Sequence, residues 1–353
     1  MKTFTTAVVF LASLATALSA HAQSVTTELD VTAGYSSDAR TWAGSTQLRS
    51  FGEIKPRLRF NVEGTWAKRS VDGTDAFDAA FPYGGRVQLN EAYVEYSAQR
   101  GAFMANVRGG QYRSPFGIYS RADHGYNGFL RAPLIRSEYY WSVNNTMLER
   151  GVDLSVGTSH LSAEVSIGTP GDNNHEFKRE SGLGSVVRVQ AYFKNVIVGA
   201  SHINTKPYAP NPWERPGRMD FSSFDVRWSL PGVQFRGEWI FGQEADDESK
   251  TRGGYLDTIV HTRFMGPVTA VFRTEKLDWH YLETNENGIT TPEDWRGLRQ
   301  TVGTRVRIPG GLTAQFNVLR HSELVAYKKP TAFDIGLTYS IRDNRSKRSK
   351  GDQ

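Results

Sequence analysis

The chain has 353 residues, with 42 Lys or Arg against 37 Asp or Glu and a formal net charge of +5. It has no cysteine, which excludes a disulfide framework, a lipid-anchored N-terminal Cys, thiolate metal sites and covalently attached haem. Much of the excess positive charge lies after residue 341, so the rest of the chain is close to neutral and its basic pI does not indicate a nucleic-acid partner.

Residues 1–22 have the form of a secretory signal peptide. Lys2 precedes an apolar stretch over about residues 7–18, and residues 20–22 (Ala-His-Ala) have the small-x-small form of a cleavage site. The stretch is too short for a membrane-spanning helix, and no later run approaches the roughly 18 apolar residues that such a helix needs. We therefore predict an exported protein whose mature chain starts near Gln23 and whose membrane spans would have to be strands.

From residue 25 onward, apolar and polar side chains alternate with a period of two, as in strands with one apolar and one polar face. In residues 25–35 the apolar row alternates with a row that includes Glu28 and Asp30, and residues 333–341 contain the last apolar row. Most segments have the 9 to 11 residues that a tilted transmembrane strand needs. The predicted strands, sixteen in number, lie near residues 25–35, 46–55, 57–67, 87–98, 102–112, 147–158, 160–168, 183–193, 195–205, 220–230, 233–242, 254–265, 267–278, 298–308, 311–322 and 332–341.

The connections between these segments alternate between tight turns and long polar loops. Seven short turns and eight long loops are typical of a transmembrane antiparallel β-barrel with short periplasmic turns and long extracellular loops. We predict an all-β barrel of about 16 strands (range 14–18) over residues 23–341, followed by a basic tail at 342–353. The alternative is a large soluble β-sandwich, but such a sandwich has no reason to keep its long loops at one end.

The polar rows of the strands carry charges of both signs, which favours a water-filled lumen. The alternative is that these charges pair across strands and stabilise the wall. The predicted lumen-wall residues are Arg57, Arg59, Glu91, Glu95, Arg108, Arg188, Arg305 and Arg307.

The loop at residues 113–146 is much longer than a connection requires, and loops of this length are usually functional or disordered. Its many aromatic residues argue against disorder, so we predict that it folds into the barrel as a constriction. Its excess of basic residues there predicts a weak anion preference. The alternative is a packed cap or a subunit contact. The predicted constriction residues are Arg113, Arg121, Asp123, His124, Arg131, Arg136 and Glu138.

Three segments resemble the phosphate-selective porin family: residues 90–96 (NEAYVEY), 109–117 (GGQYRSPFG) and 148–154 (LERGVDL). The resemblance covers about residues 85–160. It implies a sixteen-stranded, typically trimeric, anion-conducting barrel in the bacterial outer membrane, in contact with the lipid bilayer and lipopolysaccharide. The chain lacks a ladder of lysines, so we expect passive diffusion of small polar or anionic solutes rather than phosphate specificity.

The sequence has no phosphate-binding loop, no GxSxG motif and no HExxH motif, so it predicts no enzyme activity, metal site or cofactor. One alternative is an outer-membrane β-barrel hydrolase. Another is a barrel that acts as a sleeve or scaffold for a partner protein. The residues that a hydrolase could use are His202, His261 and His280 with Asp257 and Asp278.

Overall fold

The computed structural model describes residues 23–38, 40–71, 75–77, 84–118, 128–137, 147–171, 182–206, 218–243, 249–261, 266–284, 290–322 and 330–346. Within these ranges the chain forms a closed barrel of sixteen antiparallel strands, each bonded to its neighbours in the sequence, and β1 bonds to β16. This confirms the predicted all-β barrel. The strands are β1 (Ser24–Ser36), β2 (Thr41–Lys55), β3 (Leu58–Arg69), β4 (Gly84–Arg100), β5 (Phe103–Arg113), β6 (Leu148–Gly157), β7 (Leu161–Gly171), β8 (Gly184–Phe193), β9 (Val196–Thr205), β10 (Met219–Leu230), β11 (Val233–Gln243), β12 (Lys250–Val260), β13 (Val268–Thr284), β14 (Thr290–Ile308), β15 (Leu312–Ser322) and β16 (Thr331–Ser346).

The two faces of the barrel differ as the alternation predicts. Outward-facing Val152, Val302 and Ile335 are exposed apolar residues, whereas inward-facing Asp153 and Thr301 are buried polar residues. An apolar outer face and a polar inner face are typical of transmembrane barrels. Among the described residues, no helix is long and apolar enough to cross a membrane.

The prediction of a long loop at residues 279–297 is wrong, because β13 and β14 continue through most of it and pair up to Thr284 and Thr290. Trp279 lies opposite Trp295, and their rings meet edge to face with centroids 6.5 Å apart. The Trp279 ring also stacks on Tyr281 at 4.4 Å. Aromatic pairs of this kind stabilise a hairpin beyond the apolar part of the barrel.

Several other strand ends also differ from their predicted positions. β2 begins at Thr41 rather than 46, and β12 spans Lys250–Val260 rather than 254–265. In β12 the Gly253-Gly254 pair interrupts the alternation, which obscures the start of the strand. A side chain at Gly254 would clash with the Trp239 ring, so the close strand packing there requires glycine.

The last strand continues beyond the predicted boundary at residue 341, since Ser346 pairs with Ser24 at the start of β1. The Thr26 hydroxyl donates to Asn344 Oδ1 at 2.9 Å, and Arg342 Nε lies 3.5 Å from Glu28 Oε1. Residues 342–346, predicted as part of the tail, therefore belong to the strand that closes the barrel.

Candidate functional site

The described parts of the segment 113–146 lie inside the barrel. Their backbone bonds to inward-facing side chains of distant strands: Leu130 N donates to Asn317 Oδ1 at 2.9 Å, and Leu134 N donates to Glu275 Oε1 at 3.0 Å. The Arg273 guanidinium donates to the carbonyl of Arg131 at 2.9 Å. A single 3₁₀ turn, Leu134–Arg136, is the regular element of this segment within the described residues.

An apolar cluster holds the segment against β8 to β13. Phe116, Leu134 and Ile135 are fully or almost fully buried, and they pack against inward-facing apolar residues of the wall. Full burial of side chains of this size stabilises a structure by about 1.5–3 kcal/mol each. The wall residues in this cluster are Val186, Ile203, Met219, Phe221, Ile240, Tyr255 and Leu277, together with Leu319 on β15 and Ala332 on β16.

Arg131 is buried at the centre of an ion-pair network. Its Nε and Nη2 donate to the two carboxylate oxygens of Asp334 at 2.7 and 2.9 Å, and Nη1 donates to Asp75. Arg299 Nη1 binds the other oxygen of Asp75 at 2.6 Å and its Nε binds Glu275. Because Asp75 lies between β3 and β4, a second loop also reaches the interior and bridges the inward segment to the wall.

Arg136 is completely buried and paired with Glu238 on β11, with an Nη2 to Oε1 distance of 2.6 Å. The same Nη2 donates to the Phe116 carbonyl at 3.0 Å. Between these groups, Gly117 has a φ of +62°, and any Cβ there would overlap both the Arg136 guanidinium and the Glu238 carboxylate. The contact therefore requires glycine for its backbone conformation and for its lack of a side chain.

The beginning of the segment is anchored separately. Arg113, a predicted constriction residue, lies at the end of β5 and its Nη2 pairs with Glu63 Oε1 at 2.5 Å. The next residue, Ser114, donates its hydroxyl to buried Glu149 at 2.9 Å. The other predicted constriction residues, Arg121, Asp123, His124 and Glu138, lie outside the described residues.

Several predicted wall residues face inward and are tied to neighbouring strands. Arg108 lies 3.2 Å from Asp153 and 3.5 Å from Glu164. Its guanidinium stacks over the rings of Tyr93 and Tyr112, at 5.1 and 4.3 Å from the centroids. Such stacking and pairing are typical of arginine and hold the wall rigid.

The other predicted wall residues differ in how far their side chains are buried. Arg188 is buried and pairs with Asp225 at 2.8 Å, and Glu91 is buried and accepts from Asn61 Nδ2 at 2.9 Å. Glu95 and Arg305 are half-buried, whereas Arg59 and Arg307, near the turn end, are exposed.

The wall prediction is wrong for Arg57. It lies in the turn that precedes β3, with a φ of +72°, and it is exposed. The turn needs two residues where the alternation alone predicts one, so the predicted strand began one position too early.

Sequence reasoning did not place Asp75, Asp257 and Asp334 beside the inward arginines that they neutralise. Asp334 and Asp257 occupy inward positions of β16 and β12, so the alternation could have identified them. Asp257 accepts hydrogen bonds from both Arg236 and Arg273. Asp75 lies in a loop, and no local pattern distinguishes it from other loop carboxylates.

The candidate residues for a hydrolase are dispersed. His202 and His280 face outward near the loop ends, where His202 bonds to Ser222 at 3.2 Å and His280 to Asp294 at 2.7 Å. His261 follows β12 at the turn end, and Asp257 is engaged by two arginines inside the barrel. Asp278 lies on the outer face near His280, and the five candidate groups do not converge on one point.

Comparisons with known proteins identify the fold. No family model matches the chain. No curated protein matches it. Similar solved structures include OprB of Pseudomonas putida, with a TM-score of 0.62, 9% identity and coverage of 93% of this chain and 96% of that chain. OmpF of Salmonella typhi, in complex with daunomycin, matches with a TM-score of 0.58, 11% identity and coverage of 91% and 98%.

OmpT of Vibrio cholerae, an outer membrane protein in its trimer form, matches with a TM-score of 0.58, 10% identity and coverage of 90% and 98%. The fold is that of a bacterial outer-membrane porin. At these identities the likeness establishes the barrel, and the absence of a family match leaves the phosphate-selective family without support.

Proposed function

We propose that the protein is a bacterial outer-membrane channel for the passive diffusion of small polar solutes. The observation that carries the proposal is a closed barrel with an apolar outer face, a polar inner face and a long segment fixed inside it. On this proposal residues 1–22 are a cleaved signal peptide, and the barrel domain follows.

We further propose that the segment 113–146 narrows the lumen. Its described part covers the inner faces of β8 to β16, where Arg131, Arg136 and Leu134 are buried against the wall. Inward-facing Asp30 and Arg49, on the opposite side, stay half-buried. We infer that the permeation path runs along β1 and β2, beside the inward segment, and opens at the turn end, where inward-facing Arg59 and Arg307 are exposed.

We also propose a weak anion preference, but we assign it to residues other than the arginines of the segment 113–146. Arg131 and Arg136 are neutralised by buried carboxylates, so their charges contribute little field in a water-filled path. Arg59 and Arg307 are inward-facing and exposed, and they are the candidates for anion attraction. Carboxylates such as Asp30 on the same side of the lumen keep the preference weak.

We also propose a homotrimer in contact with the bilayer and lipopolysaccharide. The trimer form of the similar V. cholerae protein supports the oligomeric state. We propose no catalytic role, because the candidate histidines and aspartates do not converge.

Reconstitution in planar bilayers tests the channel. We expect stepwise conductance increases. Under a salt gradient, we expect a small reversal potential whose sign indicates a preference for anions. A folded, inserted protein that gives no conductance would overturn the proposal. A heat-unfolded sample of the same preparation is the control for detergent artefacts.

A further inference from the structure

A groove of about 920 Å³ lies on the outward-facing surface at the loop ends of β10 to β14. Its lining includes the charged residues Arg252, Asp278 and Arg296. Arg252 lies directly opposite Asp278, which lies directly opposite Arg296, so the three side chains form one row across β12, β13 and β14. The inward function described above uses none of them.

The Asp278 carboxylate accepts one hydrogen bond from each of two guanidinium groups. Arg252 Nε donates to Oδ2 at 3.2 Å and Arg296 Nε donates to Oδ1 at 3.0 Å. Lys276 Nζ lies 2.8 Å from Oδ2, so three cations surround one carboxylate. The arginine side chains remain 65% and 62% exposed. Within the described part of the chain, their terminal nitrogens have no hydrogen-bond partner.

This arrangement suits a phosphate group. The planar fork of an arginine matches the oxygens of a phosphate, and a fixed Nε contact orients the fork at little further entropy cost. The local excess of two positive charges at Asp278 attracts an anion to the same place. Two oriented forks on one row can bind oxygens of one phosphate group.

The surroundings indicate an amphiphile that also carries sugars. Phe241 lies directly opposite Arg252 at the end of the charged row, and it is exposed on the outer face together with Phe224, with stacked rings whose centroids lie 6.2 Å apart. Aromatic residues in such a band contact the region between headgroups and acyl chains. The groove is also lined by Asp220 and Asp294, whose carboxylates can accept hydrogen bonds from hydroxyl groups but repel a bare phosphate.

We propose that this groove binds the phosphorylated saccharide headgroup of an outer-leaflet glycolipid, with the acyl chains lying over the aromatic band. Arg252 and Arg296 bind the phosphate, Asp278 positions them, and Asp220 and Asp294 accept bonds from sugar hydroxyls. The inference rests on the proposed outer-membrane location, but it does not depend on conduction through the lumen.

Binding of purified lipopolysaccharide to the full-length protein in detergent tests the site, with enzymatically dephosphorylated lipopolysaccharide and inorganic phosphate as comparison probes. We expect Arg252→Gln with Arg296→Gln to weaken lipopolysaccharide binding about tenfold or more, because two charged hydrogen-bonding groups are lost. The matched control is Arg320→Gln, which removes an exposed outward arginine at the loop end of β15, outside the groove. It should change the affinity less than twofold on the same scale.

Asp278→Asn separates positioning from net charge. The substitution adds one positive charge, so simple attraction predicts tighter binding, whereas loss of the oriented forks predicts weaker binding. We expect weaker binding. Tighter binding by this variant, or an unchanged affinity in the double variant, would overturn the proposal, as would equal affinity for the dephosphorylated lipid. Binding of inorganic phosphate as tight as that of the lipid would also overturn it.

Single-channel conductance of the same variants distinguishes failure of the groove proposal from failure of the channel proposal. Normal conductance without phosphate-dependent lipid binding contradicts the groove alone. Phosphate-dependent lipid binding by a protein that does not conduct contradicts the channel alone.

Discussion

At the scale of single residues, the interior is dominated by arginines that are buried and paired rather than exposed to water. Arg131, Arg136 and Arg299 each contact both a carboxylate and a backbone carbonyl or hydroxyl of another element. Removing one partner of such a pair leaves a buried charge uncompensated, which costs about 3–5 kcal/mol, although the intact pair itself contributes less. These residues therefore fix where the inward segment lies.

Gly117→Ala should displace the inward segment without unfolding the barrel. The new Cβ would overlap the Arg136 and Glu238 side chains and break their pairing. We expect a larger and noisier single-channel conductance and faster trypsin cleavage within residues 113–146, with unchanged strand content by circular dichroism.

The matched control for that substitution is Gly101→Ala. Gly101 also has a left-handed φ, +59°, but a Cβ there meets open space. This control introduces the same kind of backbone strain, about 1–2 kcal/mol, without a steric overlap with neighbouring side chains. Equal behaviour of the two variants would show that the Arg136 contact does not hold the segment.

Arg131→Met should weaken the attachment of the same segment to the barrel wall at a second site. Asp334 and Asp75 would lose their shared partner while remaining buried. We expect greater trypsin cleavage of the segment and a broader conductance distribution. Arg320→Met, on the outer surface, serves as the control and should leave both unchanged; equal effects of the two substitutions would contradict a specific role for Arg131.

At the scale of elements, the transmembrane strands could be predicted from the sequence, because lipid outside and water inside impose a period of two. The pattern fails where those two environments end. In β13 beyond Lys276, the outward row carries Asp278 and His280 instead of apolar residues, so the strand looks like a loop. The pairing of Arg131 with Asp334 joins residues 203 positions apart, and no local pattern encodes such a contact.

Val302→Arg tests the lipid-facing assignment of β14. Val302 is 57% exposed on the outer face in the middle part of the barrel wall. An arginine near the bilayer midplane should lower the free energy of unfolding by about 2–4 kcal/mol, whereas Leu298→Arg, nearer the loop end, should cost about 0–1 kcal/mol. Urea unfolding in lipid vesicles measures both, and equal costs would contradict the inferred depth.

Deleting residues 119–138 tests the segment as a unit. If it narrows the lumen, the conductance should rise severalfold while the barrel remains heat-modifiable on gels. Deletion of residues 207–217, another long connection, should leave the conductance unchanged. An unchanged conductance in the first deletion, with intact folding, would contradict a constriction.

At the scale of the whole molecule, charges of both signs are distributed around the inner wall, so selectivity depends on the few that contact the permeation path. Arg307→Glu should shift the reversal potential toward cation preference at low salt. Arg320→Glu makes the same charge change on the outer surface and should have little effect. The shift should fade at 1 M salt, where the Debye length falls to about 3 Å. Equal shifts from both variants would contradict a selective role for the inner wall.

The barrel closes by pairing the first strand with the last. Thr32 and Thr338 hydroxyls, 306 positions apart, lie 2.9 Å from each other across the β1–β16 seam. Because loop closure over such separations is entropically costly and slow, a chain whose last residues have not yet been released cannot complete this sheet. Both terminal strands keep an open edge until the final residues arrive, and open edges recruit strands from other chains. Truncation after Ile341 removes part of this closing strand, so we expect it to slow refolding into detergent and to increase aggregation.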